Sequence, residues 1–80
     1  VYPNPFNPVT NIYFSIPMDT KISVEVFDVL GRLVETLVTS EYSVGNHSIS
    51  WNASGQPSGL YLIKISSEEF SDYKKIMLLK

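Results

Sequence analysis

From Asn11 to Ile16 the chain alternates, with Ile12, Phe14 and Ile16 on one side and Tyr13 and Ser15 on the other. Period two is the repeat of an extended chain, so a strand is expected here. Pro17 has no N–H to offer a ladder and ends that strand, and Met18-Asp19-Thr20 turns the chain. A second alternation comes next, with Ile22, Val24 and Val26 facing one way and Lys21, Ser23, Glu25 and Phe27 the other. Its β-branched residues favour a strand over a helix. Leu30-Gly31-Arg32 reads as a hairpin-like turn, in which Gly31 can take positive φ and Asp28 can accept backbone N–H groups.

The next run, LVETLV, is ambiguous, because Leu33, Val34, Leu37 and Val38 also suit a helical face. A strand is expected at its beginning, with a short irregular or helical turn near Thr39 to Ser43. Gly45 and Asn46 mark another turn, and His47, Ile49 and Trp51 then alternate with Ser48, Ser50 and Asn52. A polar loop comes after them, bent by Gly55, Pro57 and Gly59. In LYLIKIS, Tyr61, Ile63 and Ile65 are placed inward and Lys64 outward. Leu60 and Leu62 make the second face apolar too, which predicts a central strand or one partly covered by the start of the chain. After SEEFSD, a last strand puts Ile76 and Leu78 inward, with Lys74 and Lys80 sharing their parity. Six or seven short antiparallel strands and no convincing helix predict an all-β fold, a small immunoglobulin-like β-sandwich.

With 80 residues the chain can barely fill one core, so residues 1–80 form a single domain. The expected core is Phe14, Val24, Val26, Ile49, Trp51, Tyr61, Ile63, Ile76 and Leu78. A large internal ligand cavity would remove packing that so small a core cannot replace, so any site belongs on the surface. There is no cysteine, which excludes disulfides and thiolate metal centres. The formal charge of -2 gives no electrostatic basis for nucleic-acid binding. The apolar run from Ile76 to Leu79 is far too short to span a bilayer; no basic, then apolar, leader is visible, and a start at Val1 reads as a fragment or a processed piece, which leaves an upstream leader open.

Catalytic chemistry has little to work with. His47 is the single histidine and shares the parity of Trp51, which favours packing over general-base work. The acids show neither a calcium-loop spacing nor a paired-carboxylate motif, and no phosphate-binding glycine loop occurs. No catalytic residue, metal site or cofactor is therefore assigned, and the chain is not expected to be an enzyme. Trp51 and the tyrosines could offer a flat platform to a carbohydrate, but core packing is the stronger reading for Trp51, whose loss would cost about 3–5 kcal/mol.

Residues 1–10 form a Pro/Asn-rich leading segment. Pro3, Pro5 and Pro8, interleaved with Asn4, Phe6 and Asn7, fix φ and withhold N–H groups, so the segment suits neither a helix nor a central strand. It reads as a stiff, extended linker with Tyr2 or Phe6 anchoring it, and Tyr2, Phe6 and Tyr13 as candidates to cover the sandwich edge.

Several stretches carry a family resemblance: YPNPFNPVTNI at Tyr2 to Ile12, VEVFDVLGRLVETL at Val24 to Leu37, GNHSISWNASGQPSGLYLIKI at Gly45 to Ile65, and KKIMLLK at Lys74 to Lys80. Together they resemble the type A C-terminal sorting domains of the Bacteroidetes type IX secretion pathway, and the related immunoglobulin-like domain of the flagellar hook-capping protein. The loop NASGQPSG is shorter than the family form. The resemblance implies a noncatalytic C-terminal sorting and surface-attachment domain of a secreted multidomain protein. It implies an upstream cargo domain in the same chain, and as partners the outer-membrane secretion machinery and its processing peptidase. Localisation would be secreted or at the outer-membrane surface after periplasmic transit. Asp28, Gly31 and Arg32 match the family's turn, with Gly55 and Gly59 as further turn residues, and Lys74, Lys75 and Lys80 are the expected recognition positions. The alternative is a retained accessory module that binds polysaccharide or serves as a structural domain in an extracellular assembly.

Overall fold

A computed structural model describes residues 9–79. Six strands succeed one another: β1 (Val9–Ile16), β2 (Thr20–Phe27), β3 (Leu33–Tyr42), β4 (Gly45–Asn52), β5 (Gly59–Ser66) and β6 (Ser71–Leu78). They form a two-stranded sheet, β1-β4, and a four-stranded sheet in the order β3-β2-β5-β6, with every pairing antiparallel. The chain is therefore a small all-β sandwich. Immunoglobulin-type domains place strands B and E side by side in one sheet and extend C, F and G with C′ in the other. The two sheets here have that connectivity, with the positions of strands A and D unfilled among the described residues.

Alternation builds the interior. Ile12, Phe14 and Ile16 of β1 and Trp51 of β4 pack with Ile22, Val24 and Val26 of β2 and Tyr61, Ile63 and Ile65 of β5, with Ala53 and Leu78 completing the buried set. Ile49 and Ile76 are half-buried and rest against it. The Trp51 and Tyr61 rings meet edge to face, with centroids 5.2 Å apart, the arrangement their quadrupoles favour. β5 is a central strand, and its outward Leu60 and Leu62 are half-buried.

Two expectations are corrected. The first concerns β3, which is extended through Thr39, Ser40 and Glu41 to Tyr42, so the irregular or helical turn near Thr39 to Ser43 is absent. The helix-like spacing has a specific cause. The register passes from Val24↔Val38 to Glu25↔Thr36 and from Val26↔Glu35 to Phe27↔Leu33, leaving Leu37 and Val34 as extra residues. Each bulge reverses the parity of the strand beyond it. Apolar residues at 33, 34, 37 and 38 are thus a twice-bulged strand. The far end is held by Tyr42, whose ring lies 5.6 Å from Phe14 and 4.8 Å from His47.

The second correction moves a turn. The reversal before β4 lies at Ser43 and Val44, Asn46 is already in the strand, and Gly45 opens it at φ 129°. Asp19 Oδ1 accepts the Val44 N–H at 2.8 Å, which ties this turn to the one between β1 and β2. Tyr13 is 65% exposed and lines an open depression with Phe14 of β1 and Asp72 and Lys74 of β6. Tyr2 and Phe6 lie outside the described residues.

Candidate functional site

Antiparallel strands in even number return the chain to the end where it began. The pairs Val9↔Asn52, Gly59↔Leu78 and Phe27↔Leu33 accordingly lie at one pole of the sandwich. The turn from Asp28 to Arg32 and the loop from Ala53 to Ser58 close that same pole. Segments far apart in sequence therefore share one surface, where Asp28, Arg32 and Val34 line an open depression with Gln56, Pro57 and Tyr61.

Asp28 organises the first wall. Its Oδ1 accepts the N–H of Leu30 at 2.9 Å and of Arg32 at 3.0 Å, and its Oδ2 accepts Arg32 Nε at 2.9 Å. The backbone closes the turn from the other side, with Gly31 N–H donating to Asp28 O and Asp28 N–H to Arg32 O, each at 3.0 Å. Donors converging on an anionic oxygen stabilise the charged form. The Asp28 carboxyl is held below its ordinary value, first by the Arg32 N–H and then by the Arg32 side chain and the Leu30 N–H, against an opposing effect of burial. Gly31 sits at φ 82°, in the left-handed region, which a Cβ would strain.

Tyr61 organises the second wall. Its hydroxyl donates to the Pro57 carbonyl at 2.7 Å, four residues back. A tyrosine near the start of strand F that bonds back to the preceding corner is a hallmark of immunoglobulin-type sandwiches. Asn52 Oδ1 accepts the Ser54 N–H at 3.1 Å, and the Ala53 carbonyl accepts the Gln56 N–H at 2.9 Å. These bonds shape the bend around Gly55, which needs no positive φ. Gly59 does take one, at 155°, where the chain re-enters β5.

The lysines lie along β6. Lys74 points to the sandwich side beside Ile76 and is half-buried, while Lys75 is exposed on the outer face. Among the described residues the one ion pair is Asp28–Arg32, so neither lysine forms one, although Asp72 lines the same depression as Lys74. Lys80 and the linker residues Pro3, Asn4, Pro5, Phe6, Asn7 and Pro8 lie outside the described residues. The remaining expected core positions, Phe14, Val24, Val26, Ile63 and Leu78, are buried and face the interior.

Among the described residues no charged or polar residue is buried, and no cluster of three metal-binding side chains occurs. His47 is wedged between Phe14 and Tyr42 with the Ser43 carbonyl accepting from its Nε2 at 2.7 Å. Two contributors were missed by sequence reasoning. Glu35 accepts the Trp51 indole N–H at 3.2 Å, a need that any buried indole announces, although the bulges hid which residue meets it. Ala53 is fully buried at the mouth of a loop whose composition reads as polar.

The family model described as a secretion system C-terminal sorting domain matches residues 1–79. No curated protein and no solved structure matches the chain.

Proposed function

The chain belongs to the secretion system C-terminal sorting domain family, and from that premise we propose that it is the noncatalytic sorting and surface-attachment module of its protein. The family makes this a type IX sorting domain of a secreted or cell-surface protein. The proposal adds attachment at the outer-membrane surface after periplasmic transit, an upstream cargo domain in the same chain, and a processing peptidase among the partners. Lys74, Lys75 and Lys80 are the recognition positions. Asp28, Gly31, Arg32, Gly55 and Gly59 shape the pole, and Pro3 to Pro8 link it to the cargo.

One observation supports this reading most directly. The described parts of the segments that carry the family pattern, dispersed along the sequence, meet at one pole, and from it runs a strand whose two lysines form no ion pair among the described residues. A rigid surface with free charges suits docking to a translocation machine. The polysaccharide-binding alternative loses its main candidate, because the Trp51 indole is fully buried and offers no stacking face.

The test is a reporter with an ordinary export signal fused ahead of residues 1–80. It is expected to reach the surface of a type IX host and to remain periplasmic in a strain lacking the secretion machinery. Equal localisation in the two strains refutes the proposal. Lys74→Ala with Lys75→Ala, in a fusion of unchanged melting temperature, is expected to reduce surface display.

A further inference from the structure

The four-stranded sheet ends in β3 on one side and β6 on the other, and the two edges differ. β3 is bulged twice, at Leu37 and Val34, which breaks the even spacing of its outward N–H and C=O groups and guards it against pairing. β6 runs in unbroken register with β5 from Ser66↔Ser71 to Gly59↔Leu78 and contains no proline. Its outer row of backbone groups is a ready template for another strand. The edges of β1 and β4 are also straight, but neither strand carries an Asp, Glu, Lys or Arg.

Charge is sorted across the four-stranded sheet. Glu25 and Glu35 lie on β2 and β3, whereas Lys64, Lys74 and Lys75 lie on β5 and β6. The exceptions stand at the far pole, where Lys21 faces Glu41 across the ladder, Glu68 and Glu69 lie in the turn between β5 and β6, and Asp72 is the second residue of β6. The basic edge exists although the whole chain has a net charge of -2. Two β6 edges paired antiparallel about these lysines would bring like charges together, which disfavours a second copy.

We propose that the edge of β6 left unpaired among the described residues takes an extended segment of a partner protein as a fifth strand, and that this segment carries two consecutive acidic residues flanked by apolar ones. The acids must be consecutive because Lys74 and Lys75 point to opposite faces, and each is matched by a neighbour on its own face. The apolar flanks answer Tyr73 and Met77, which are 56% and 59% exposed on the outer face, and the half-buried Ile76 on the inner. Backbone pairing supplies the attachment, as in strand addition generally, and the acids supply the choice of edge. This deepens the sorting proposal and rests on it for the biological identity of the partner, though the contact itself can be measured alone.

The experiment titrates the 80-residue chain with three synthetic peptides of alternating valine and threonine, bearing Glu-Glu, Ser-Ser or Lys-Lys at the centre. At low salt the Glu-Glu peptide is expected to bind about tenfold more tightly than the Ser-Ser peptide, and the Lys-Lys peptide more weakly still. Amide exchange should slow from Tyr73 to Met77. A Lys74→Glu/Lys75→Glu chain, checked for unchanged Trp51 emission and melting temperature, should reverse the order. Equal binding of the three peptides, or protection arising on β1, β3 or β4, overturns the proposal. Loss of peptide preference with intact secretion of the reporter overturns the edge contact and leaves the sorting function standing, whereas the opposite pair of results removes only the sorting function.

Discussion

Replacing Tyr61 by phenylalanine isolates the bond that holds the β4–β5 loop to the sandwich. The Tyr61 residue is 4% exposed and its ring meets Trp51 at 5.2 Å, contacts that phenylalanine keeps. What disappears is the O–H donor to the Pro57 carbonyl at 2.7 Å. A neutral hydrogen bond of this kind contributes about 0.5–1.5 kcal/mol net. Pro57 is exposed, so water can reach the freed carbonyl, and the desolvation penalty of a stranded acceptor does not add to the loss. The expected cost is therefore ~1 kcal/mol, which lowers the melting temperature of a domain this size by roughly 4–8 °C. Urea unfolding followed by the emission of Trp51, the single tryptophan, should show a lower midpoint with an unchanged slope. The Gln56 amide, bonded to the Ala53 carbonyl at 2.9 Å, should exchange faster as the loop loosens. An unchanged midpoint together with unchanged Gln56 protection would show that the hydroxyl does not hold the corner. A loss above about 3 kcal/mol would show that the ring has moved, and the assumption of preserved packing would fail.

Gly31→Ala should cost about 1 kcal/mol by denaturant unfolding, because φ of 82° strains a Cβ even though no atom lies within 4 Å of it; Gly31→Asn should cost less. The Asp28 carboxyl has a folded pKa below its ordinary 3.8, so its contribution to stability is fully present above that value and is lost as pH falls through the lower folded pKa. Urea midpoints measured down the acid range should fall less steeply for Asp28→Asn than for the natural chain, and parallel curves would refute the assignment. Glu35→Ala removes the acceptor of the Trp51 indole N–H, which belongs to a fully buried residue, and should cost about 1–3 kcal/mol while speeding exchange of that proton; an indole signal identical in both proteins would place the N–H elsewhere.

Strand-by-strand alternation made most of the fold legible. In β1, β2 and β5 each inward residue sits across the sandwich from another apolar residue, so the side-chain parity read along the chain is the parity of the packed structure. β3 resisted because a bulge is decided by the partner strand. Nothing local to Leu33, Val34, Leu37 and Val38 says that Val24 will meet Val38 while Glu25 skips back to Thr36. The Asp28 turn was readable because its bonds are local, within four residues. The meeting of that turn with the Pro57 loop was not, since it depends on how the sheets stack. Glu35 stayed hidden for the same reason, for its link to Trp51 crosses from one sheet to the other.

The sandwich is unequal, two strands over four, and this asymmetry separates the residues that hold the fold from those offered to a partner. The two-stranded sheet covers β2 and β5, whose inward side chains are almost fully buried, and leaves the inner faces of β3 and β6 half-covered, as Val38 and Ile76 show. Trp51 and Tyr61 lie where coverage is complete, so truncating either costs about 3–5 kcal/mol and endangers folding. Lys75 lies exposed where coverage runs out, without an ion pair among the described residues, and surface substitutions of that kind usually change stability by no more than about 0.5 kcal/mol. A charge change on β6 can therefore alter recognition without melting the domain. A Lys75→Glu variant that unfolded at the same urea concentration as the parent yet lost its surface localisation would place the two functions on separate residues. One that lost several kcal/mol of stability would show that β6 belongs to the cooperative core and that edge chemistry cannot be varied independently of it.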